Sequence, residues 1–197
     1  TGIRLSFRNL HYSVEGRNLD SGKKILKRVS GRVEPGQMCA LMGGSGAGKS
    51  TLLDILAGRK TSGYIRGDIR FNGKKVLTNL HRRCAYVTQD NVHIGVFTVE
   101  ETLTWAARLR MNETHTDEER KERVKDVLLM LGLDNVKDVL VGDAFTKGIS
   151  GGQARRLSIG VEIINLPDII FLDEPTTGLD SNISYEVMAA VRNLANQ

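Results

Sequence analysis

This sequence predicts an α/β fold built around a phosphate-binding loop, and three segments carry the prediction. Residues 41–51 read L-M-G-G-S-G-A-G-K-S-T, so Gly43, Gly48, Lys49 and Ser50 occupy the fixed places of the pattern G-x-x-x-x-G-K-[ST]. Residues 168–175 read D-I-I-F-L-D-E-P, an apolar run that ends in two adjacent acids, Asp173 and Glu174. Between them, at 150–153, stands S-G-G-Q, a second glycine-rich helix start.

The elements follow in order along the chain. Residues 5–10, 25–33 and 67–71, the last followed by the hairpin dipeptide Asn72-Gly73, predict an antiparallel β layer. The run Q-M-C-A-L-M at 37–42 has the length and apolarity of a buried parallel strand, and T-L-L-D-I-L-A at 51–57 reads as the start of a helix. The loop between them supplies the nucleotide-binding candidates Gly43, Gly44, Ser45, Gly46, Ala47, Gly48, Lys49, Ser50 and Thr51. Glycines let backbone N–H groups approach phosphate oxygens, the helix N-terminus adds partial positive charge, Lys49 reaches the outer phosphates and the Ser50 hydroxyl ligates Mg²⁺.

Ala85-Tyr86-Val87 forms a short apolar strand ahead of Gln89. From about 91 to 160 the chain reads as a helical insertion. Thr98-x-x-Glu101 and Thr116-x-x-Glu119 are capping boxes, and Val124, Val127, Leu128 and Leu131 recur at helical spacing as a buried stripe. Ser150 caps a further helix running to about Ile164, and its glycines expose the first N–H groups as a second anion site. Ile169 to Leu172 reads as a central buried strand, with Asp173 and Glu174 at the C-terminal edge where α/β sheets place ligands. A carboxylate there can hold Mg²⁺ through water and its neighbour can orient or deprotonate an attacking water. Asp173 is the metal-side acid and Glu174 the candidate general base.

Composition bounds the rest. At 197 residues and 40% apolar content the chain can bury one core. No apolar stretch approaches the ~18 residues of a membrane span, so the chain by itself reads as soluble, and its start resembles neither a secretory signal nor a transit peptide. Cys39 and Cys84 fall in predicted strands and read as buried free thiols of a reducing compartment. Charge is uneven: residues 1–83 carry 17 Lys and Arg against 5 Asp and Glu, and residues 84–197 carry 11 against 18. The basic pairs, such as Lys23-Lys24 and Arg82-Arg83, are dispersed without interleaved aromatics, so no nucleic-acid partner is expected. His11, His81, His93 and His115 read as surface histidines.

Taken together, the phosphate loop, Ser150-Gly151-Gly152-Gln153 and the Asp173-Glu174 strand end resemble the nucleotide-binding domain of ATP-binding-cassette (ABC) proteins. Gln89 matches the family's Q-loop glutamine, and Gly178-Leu179-Asp180-Ser181 its D-loop. Three further runs, F-T-V-E-E-T-L at 97–103, S-I-G-V-E-I at 158–163 and D-E-P-T-T-G-L-D-S at 173–181, look like the G subfamily, the White-type half-transporters. The fold this resemblance implies is a P-loop NTPase core with a mixed or parallel sheet, the antiparallel β layer and the helical subdomain, all in one domain over residues 1–197.

The function the resemblance implies is ATP binding and hydrolysis with Mg²⁺, coupled to transport across a membrane. Lys49, Ser50, Thr51, Gln89, Asp173 and Glu174 would act on the nucleotide within one chain, with Ser50, Gln89 and Asp173 on the metal and Lys49, Gln89 and Glu174 in catalysis. Ser150 and Gly152 would grip its γ-phosphate from a second nucleotide-binding domain, identical or not, paired head to tail, and Gly151, Gln153 and Asp180 are further nucleotide-binding candidates. A transmembrane domain is expected C-terminal to this segment, placing it at the cytoplasmic face of a membrane. Ile149 stands where the family usually has leucine, and Tyr12 is the nearest candidate for an aromatic stacked on adenine. The sequence ends before the strand that bears the family's switch histidine, so the 197 residues alone are expected to be a weak ATPase. The alternative is a soluble ABC ATPase of translation or ribosome recycling, which carries two cassettes and dedicated insertions. A chromosome-maintenance ATPase would separate the two glycine motifs by a long coiled coil, and a plain P-loop kinase or GTPase would leave residues 150–153 unexplained.

Overall fold

A computed structural model describes residues 2–14, 22–75, 80–143 and 145–196, with the side chain of His81 outside that description. The chain divides into two compact units, Thr1–Cys84 with Ala195–Gln197, and Ala85–Leu194.

The first unit is built on an antiparallel sheet in which β1 (Leu5–Val14) lies between β2 (Lys23–Val33) and β3 (Tyr64–Phe71). The β layer expected from the sequence is present, and its strands are longer than the apolar runs suggested. In β1 the buried side chains switch phase, from Leu5 and Phe7 to Leu10 and Tyr12, which strict alternation forbids. A bulge restores the pattern. Asn9 takes φ 50°, the register slips on both flanking strands, and Arg28 (φ 56°) and Gly67 (φ 132°) bend β2 and β3. Only glycine fits at position 67, where a Cβ would lie 2.8 Å from the Asn9 carbonyl oxygen. Asn72 and Gly73 both have positive φ, and Phe71 and Lys74 exchange backbone hydrogen bonds across them, as the Asn-Gly signal requires.

Helix α1 (Lys49–Leu56) follows the phosphate loop and buries Leu52, Ile55 and Leu56; Gly58, at φ 70°, ends it. The segment 37–42 departs from the expectation of a buried parallel strand. It forms no strand, and Met38, Leu41 and Met42 are exposed, Met42 at 92%. Apolar composition makes burial favourable, but a strand also needs a neighbour's N–H and C=O groups in line, and no ladder reaches this run. Cys39, on that run, is accordingly exposed rather than buried, while Cys84 opens a strand and is half-buried.

The second unit contains the short helix-rich core. After α2 (Leu80–Arg83), strand β4 (Cys84–Val87) pairs with β5 (Ile169–Leu172). The Asp173 N–H donates to the Val87 carbonyl at 2.9 Å, which sets the C-terminal ends of β4 and β5 side by side, as in parallel strands. Of β5 only Phe171 is buried and its neighbours are half-buried, so it is less enclosed than the central strand expected. Helices α3 (Val99–Arg110), α4 (Asp117–Met130), α5 (Gly151–Ile163) and α6 (Ser181–Ala195) complete the element list, with a 3₁₀ turn at Asp134–Val136.

Both capping boxes form: the Thr98 hydroxyl accepts from Glu101 N–H and the Thr116 hydroxyl from Glu119 N–H, with each glutamate returning a bond to the cap. The α4 stripe Val124, Val127, Leu128 and Leu131 is at most 3% exposed. It meets α3 and α5 at Gly160, where a Cβ would stand 3.0 Å from Leu131, 3.1 Å from Leu103 and 3.2 Å from Val127. That glycine lets three helices close on one another, and the packed side chains hold α5 in position.

Candidate functional site

Within the first unit the candidate residues occupy the loop that enters α1. Gly46 and Gly48 take φ 74° and 93°, a region costly to side-chain-bearing residues, and a Cβ at Gly48 would also press Ile25 and Leu26 at 3.1 Å. At Gly44 and Gly46 the space beside the backbone is open. Helix α1 starts without a side-chain cap and without an acid in its first turn. The helix end is therefore electropositive. The Lys49 ammonium folds back onto the loop, donating to the Gly43 and Gly44 carbonyls at 3.0 Å each. Open glycines, an uncapped helix start and a lysine over the loop together fit a polyphosphate. Ser45, Ala47 and Ser50 are exposed here, and Thr51 is half-buried on the first turn.

Tyr12 does not fit its proposed place. It is 1% exposed, its hydroxyl donates to the Ser62 carbonyl at 3.2 Å, Gly63 packs against its ring, and the Lys60 ammonium sits 5.5 Å from the ring centroid. The ring is enclosed by its own unit and has no open face for adenine.

Within the second unit the ends of β4 and β5 bring Gln89 and Glu174 together. The Gln89 side-chain amide donates to Glu174 Oε2 at 3.1 Å, and the Thr177 hydroxyl donates to the same oxygen at 2.9 Å. Glu174 has φ 46°, a strained conformation for a residue with a Cβ, directly after Asp173. Such strain persists only where the surroundings hold it. Here they include Arg155, which the sequence reading overlooked. Its side chain is buried, yet it lies on the otherwise apolar face of α5 marked by Gly152, Ile159 and Ile163. Nε donates to the Pro175 carbonyl at 3.2 Å, one terminal nitrogen to the Asp173 carbonyl at 2.8 Å, and the other to the carbonyls of Thr88 and Gln89 and to Asn91 Oδ1. Burial lowers its pKa, and the carboxylates of Asp173 and Asp90 act in the opposite direction. In the sequence Arg155 is one of an adjacent pair with Arg156, and no spacing singles it out.

Residues 150–153 are organised by a third capping box. Ser150 Oγ accepts from Gln153 N–H at 3.3 Å and Gln153 Oε1 accepts from Ser150 N–H at 2.8 Å. The two glycines differ in setting, and Gly151 is exposed. Gly152 is buried, because a Cβ there would lie 2.2 Å from Ile183 Cγ2 on α6. Asp180 caps α6, its carboxylate accepting from the N–H groups of Asn182 and Ile183 at 3.0 Å each.

His93 also departs from the surface reading. It is half-buried, with Nε2 at 2.8 Å from Ser158 Oγ and 3.3 Å from the Ala154 carbonyl, and burial depresses its pKa below the ordinary imidazole value. His11 is half-buried on β1 and His115, paired with Glu119, stays at the surface. Among the described residues no group of three acidic, histidine or cysteine side chains forms a metal cage. Mg²⁺ is bound with few protein ligands when phosphate and water supply the rest, so a nucleotide-bound Mg²⁺ does not require such a cage.

A family model described as ABC transporter matches residues 26–177. The chain belongs to the ABC transporter family, whose nucleotide-binding domain binds and hydrolyses ATP. Its relatives point to one branch. It is 45% identical over 195 residues to ABC transporter G family member 22 of Arabidopsis thaliana, covering 98% of this chain and 26% of that protein. It is 46% identical over 197 residues to G family member 24 of Dictyostelium discoideum, with 98% and 17% covered. It is 41% identical over 201 residues to the broad substrate specificity ATP-binding cassette transporter ABCG2 of Rattus norvegicus, with 100% and 30% covered. The chain thus spans less than a third of the length of each of these relatives. Among the described residues no helix is long and apolar enough to cross a membrane.

Proposed function

We propose that this chain is the ATP-hydrolysing motor of a G-type transporter, and that its two units form one nucleotide-binding domain with a P-loop NTPase core and a helical subdomain at about 91–160. Lys49 and the leading N–H groups of α1 neutralise phosphate charge, with Gly43 to Gly48 giving the backbone its close approach. Ser50, Gln89 and Asp173 hold Mg²⁺, which when bound withdraws charge from the phosphate oxygens. Glu174 orients the attacking water and takes its proton, and its carboxylate is aimed by the donors of Gln89 and Thr177.

Ser150 and Gly152 grip the γ-phosphate of the nucleotide held by a second, head-to-tail domain, and Gly151, Gln153 and Asp180 are further nucleotide-binding residues. The pairing drives a transmembrane domain that follows in the full-length chain, and the motor works at the cytoplasmic face of that membrane. Its relatives, G family members and ABCG2, favour this over a soluble ATPase of translation.

The observation that carries the reading is the Gln89–Glu174 bond, which joins the second residue beyond one strand to the second beyond its neighbour. Its test is Glu174→Gln in the full-length protein. ATP affinity should be retained while turnover falls by about 10²-fold or more. Hydrolysis at the wild-type rate would remove Glu174 from the mechanism.

A further inference from the structure

We infer that Arg155 is a positioning residue for hydrolysis: one buried guanidinium on α5 sets the relation between Gln89 and Glu174. This inference rests on the reading of Glu174 given above and names a further residue through which that site is built.

The guanidinium grips main chain on both sides of the Gln89–Glu174 contact. The carbonyls of Asp173 and Pro175 belong to the residues on either side of Glu174, and both accept from Arg155. Glu174 is thereby clamped from both sides in its left-handed conformation, φ 46°. The carbonyls of Thr88 and Gln89 and the side chain of Asn91 accept from the remaining nitrogen, which fixes the segment that carries the Gln89 amide. The two segments held by one planar group are the two whose side chains meet at 3.1 Å. Remove the group and four main-chain carbonyls lose a charged donor that reaches both segments at once.

The chemistry needs arginine at this place. A guanidinium presents donors in a rigid plane along several directions at once, whereas an ammonium is a point charge with three donors on a flexible stem. Lysine can keep the charge and reach one or two of these carbonyls, but it cannot span both segments. The position in the chain adds a consequence. Arg155 lies two residues beyond Gln153 on the helix that Ser150 caps, so a displacement of the start of α5 moves the clamp together with it. Contacts made at residues 150–153 are then transmitted to Glu174 through a buried side chain.

The test uses the full-length protein in its membrane with MgATP, comparing Arg155→Lys, Glu174→Gln and the double variant. Arg155→Lys should lower kcat by about tenfold or more, as misplacement of a reacting group by a fraction of an ångström does, while KM and nucleotide affinity stay within about twofold of wild type. In the Glu174→Gln background it should add no further loss, because the group it positions is already disabled. An unchanged kcat in Arg155→Lys, or losses that multiply in the double variant, would overturn the inference. So would a parallel fall in ATP affinity, the mark of general loosening. The outcomes separate the two readings: if Glu174→Gln is inactive and Arg155→Lys is normal, only the role of Arg155 fails. If Glu174→Gln turns over normally, the assignment of Glu174 fails first.

Discussion

Replacing Gly152 with alanine tests whether the second glycine of S-G-G-Q is held by packing. The added Cβ would stand 2.2 Å from Ile183 Cγ2, and 3.5 and 3.8 Å from the Cβ and Cδ1 of the same residue. Apolar carbons rest at about 3.5–4.0 Å, so the closest contact is short by more than about 1 Å and α5, α6 or the Ile183 rotamer must shift. Overpacking of this kind costs about 1–3 kcal/mol. For a chain of this size that lowers Tm by about 2–4 °C per kcal/mol. Gly151→Ala is the internal control. Its Cβ would meet only Leu179 Cδ2, at an ordinary 3.7 Å, and alanine is the better helix former by up to about 1 kcal/mol. The assay is thermal unfolding followed by Trp105, the chain's one tryptophan, which shares a unit with both glycines. Gly152→Ala should melt below wild type and Gly151→Ala at or above it. Adding Ile183→Ala, which deletes the clashing methyl, should cost Gly152→Ala less than it costs wild type. Equal melting of the two glycine variants, or a Gly152→Ala penalty undiminished when Ile183 is alanine, would refute the packing argument.

Two other outcomes follow from the same geometry. Lys49→Ala should weaken ATP binding by about 10–100-fold, the equivalent of one charge-assisted contact to phosphate; unchanged affinity in a calorimetric titration would count against the loop assignment. His93 has a depressed pKa because burial disfavours its charged form. Below the ordinary value of 6.5 the unfolded chain therefore binds more protons than the folded one, and stability falls as the pH drops from 6.5 toward the folded value. His93→Gln should flatten that part of the Tm–pH curve between pH 5 and 8, and a curve identical to wild type would remove His93 as a contributor.

Arg155 changes how the S-G-G-Q helix is understood. In the sequence the glycine-rich start of α5 reads as an anion site, yet the residues that follow it are engaged inward. Gly152 packs on α6, and Arg155 grips the segments on either side of Glu174. One helix therefore carries an exposed glycine at its start and a buried connection to the residues on either side of Glu174. Asp180 likewise serves α6 directly as its cap, so any role it has toward a partner's nucleotide begins from a carboxylate already engaged by two N–H groups.

Patterns confined to neighbours in the chain were legible from the sequence alone. The capping boxes at Thr98, Thr116 and Ser150, the Asn72-Gly73 turn, the α4 stripe and the acid pair after an apolar run depend on spacings of two to seven residues. Backbone geometry then dictates which groups meet. Features that depend on distant partners came only from the tertiary structure. Strand formation at 37–42 needed a ladder that composition cannot guarantee, and the phase change in β1 needed a bulge shared with β2 and β3. Tyr12 was lost to adenine because residues 60–63 close over its ring. Arg155 reads as one more basic residue until its five acceptors, at positions 88, 89, 91, 173 and 175, are seen around it. A local pattern states what a segment can do; which of those capacities is used depends on groups far along the chain, because burial and hydrogen-bond satisfaction are settled by whatever packs against it.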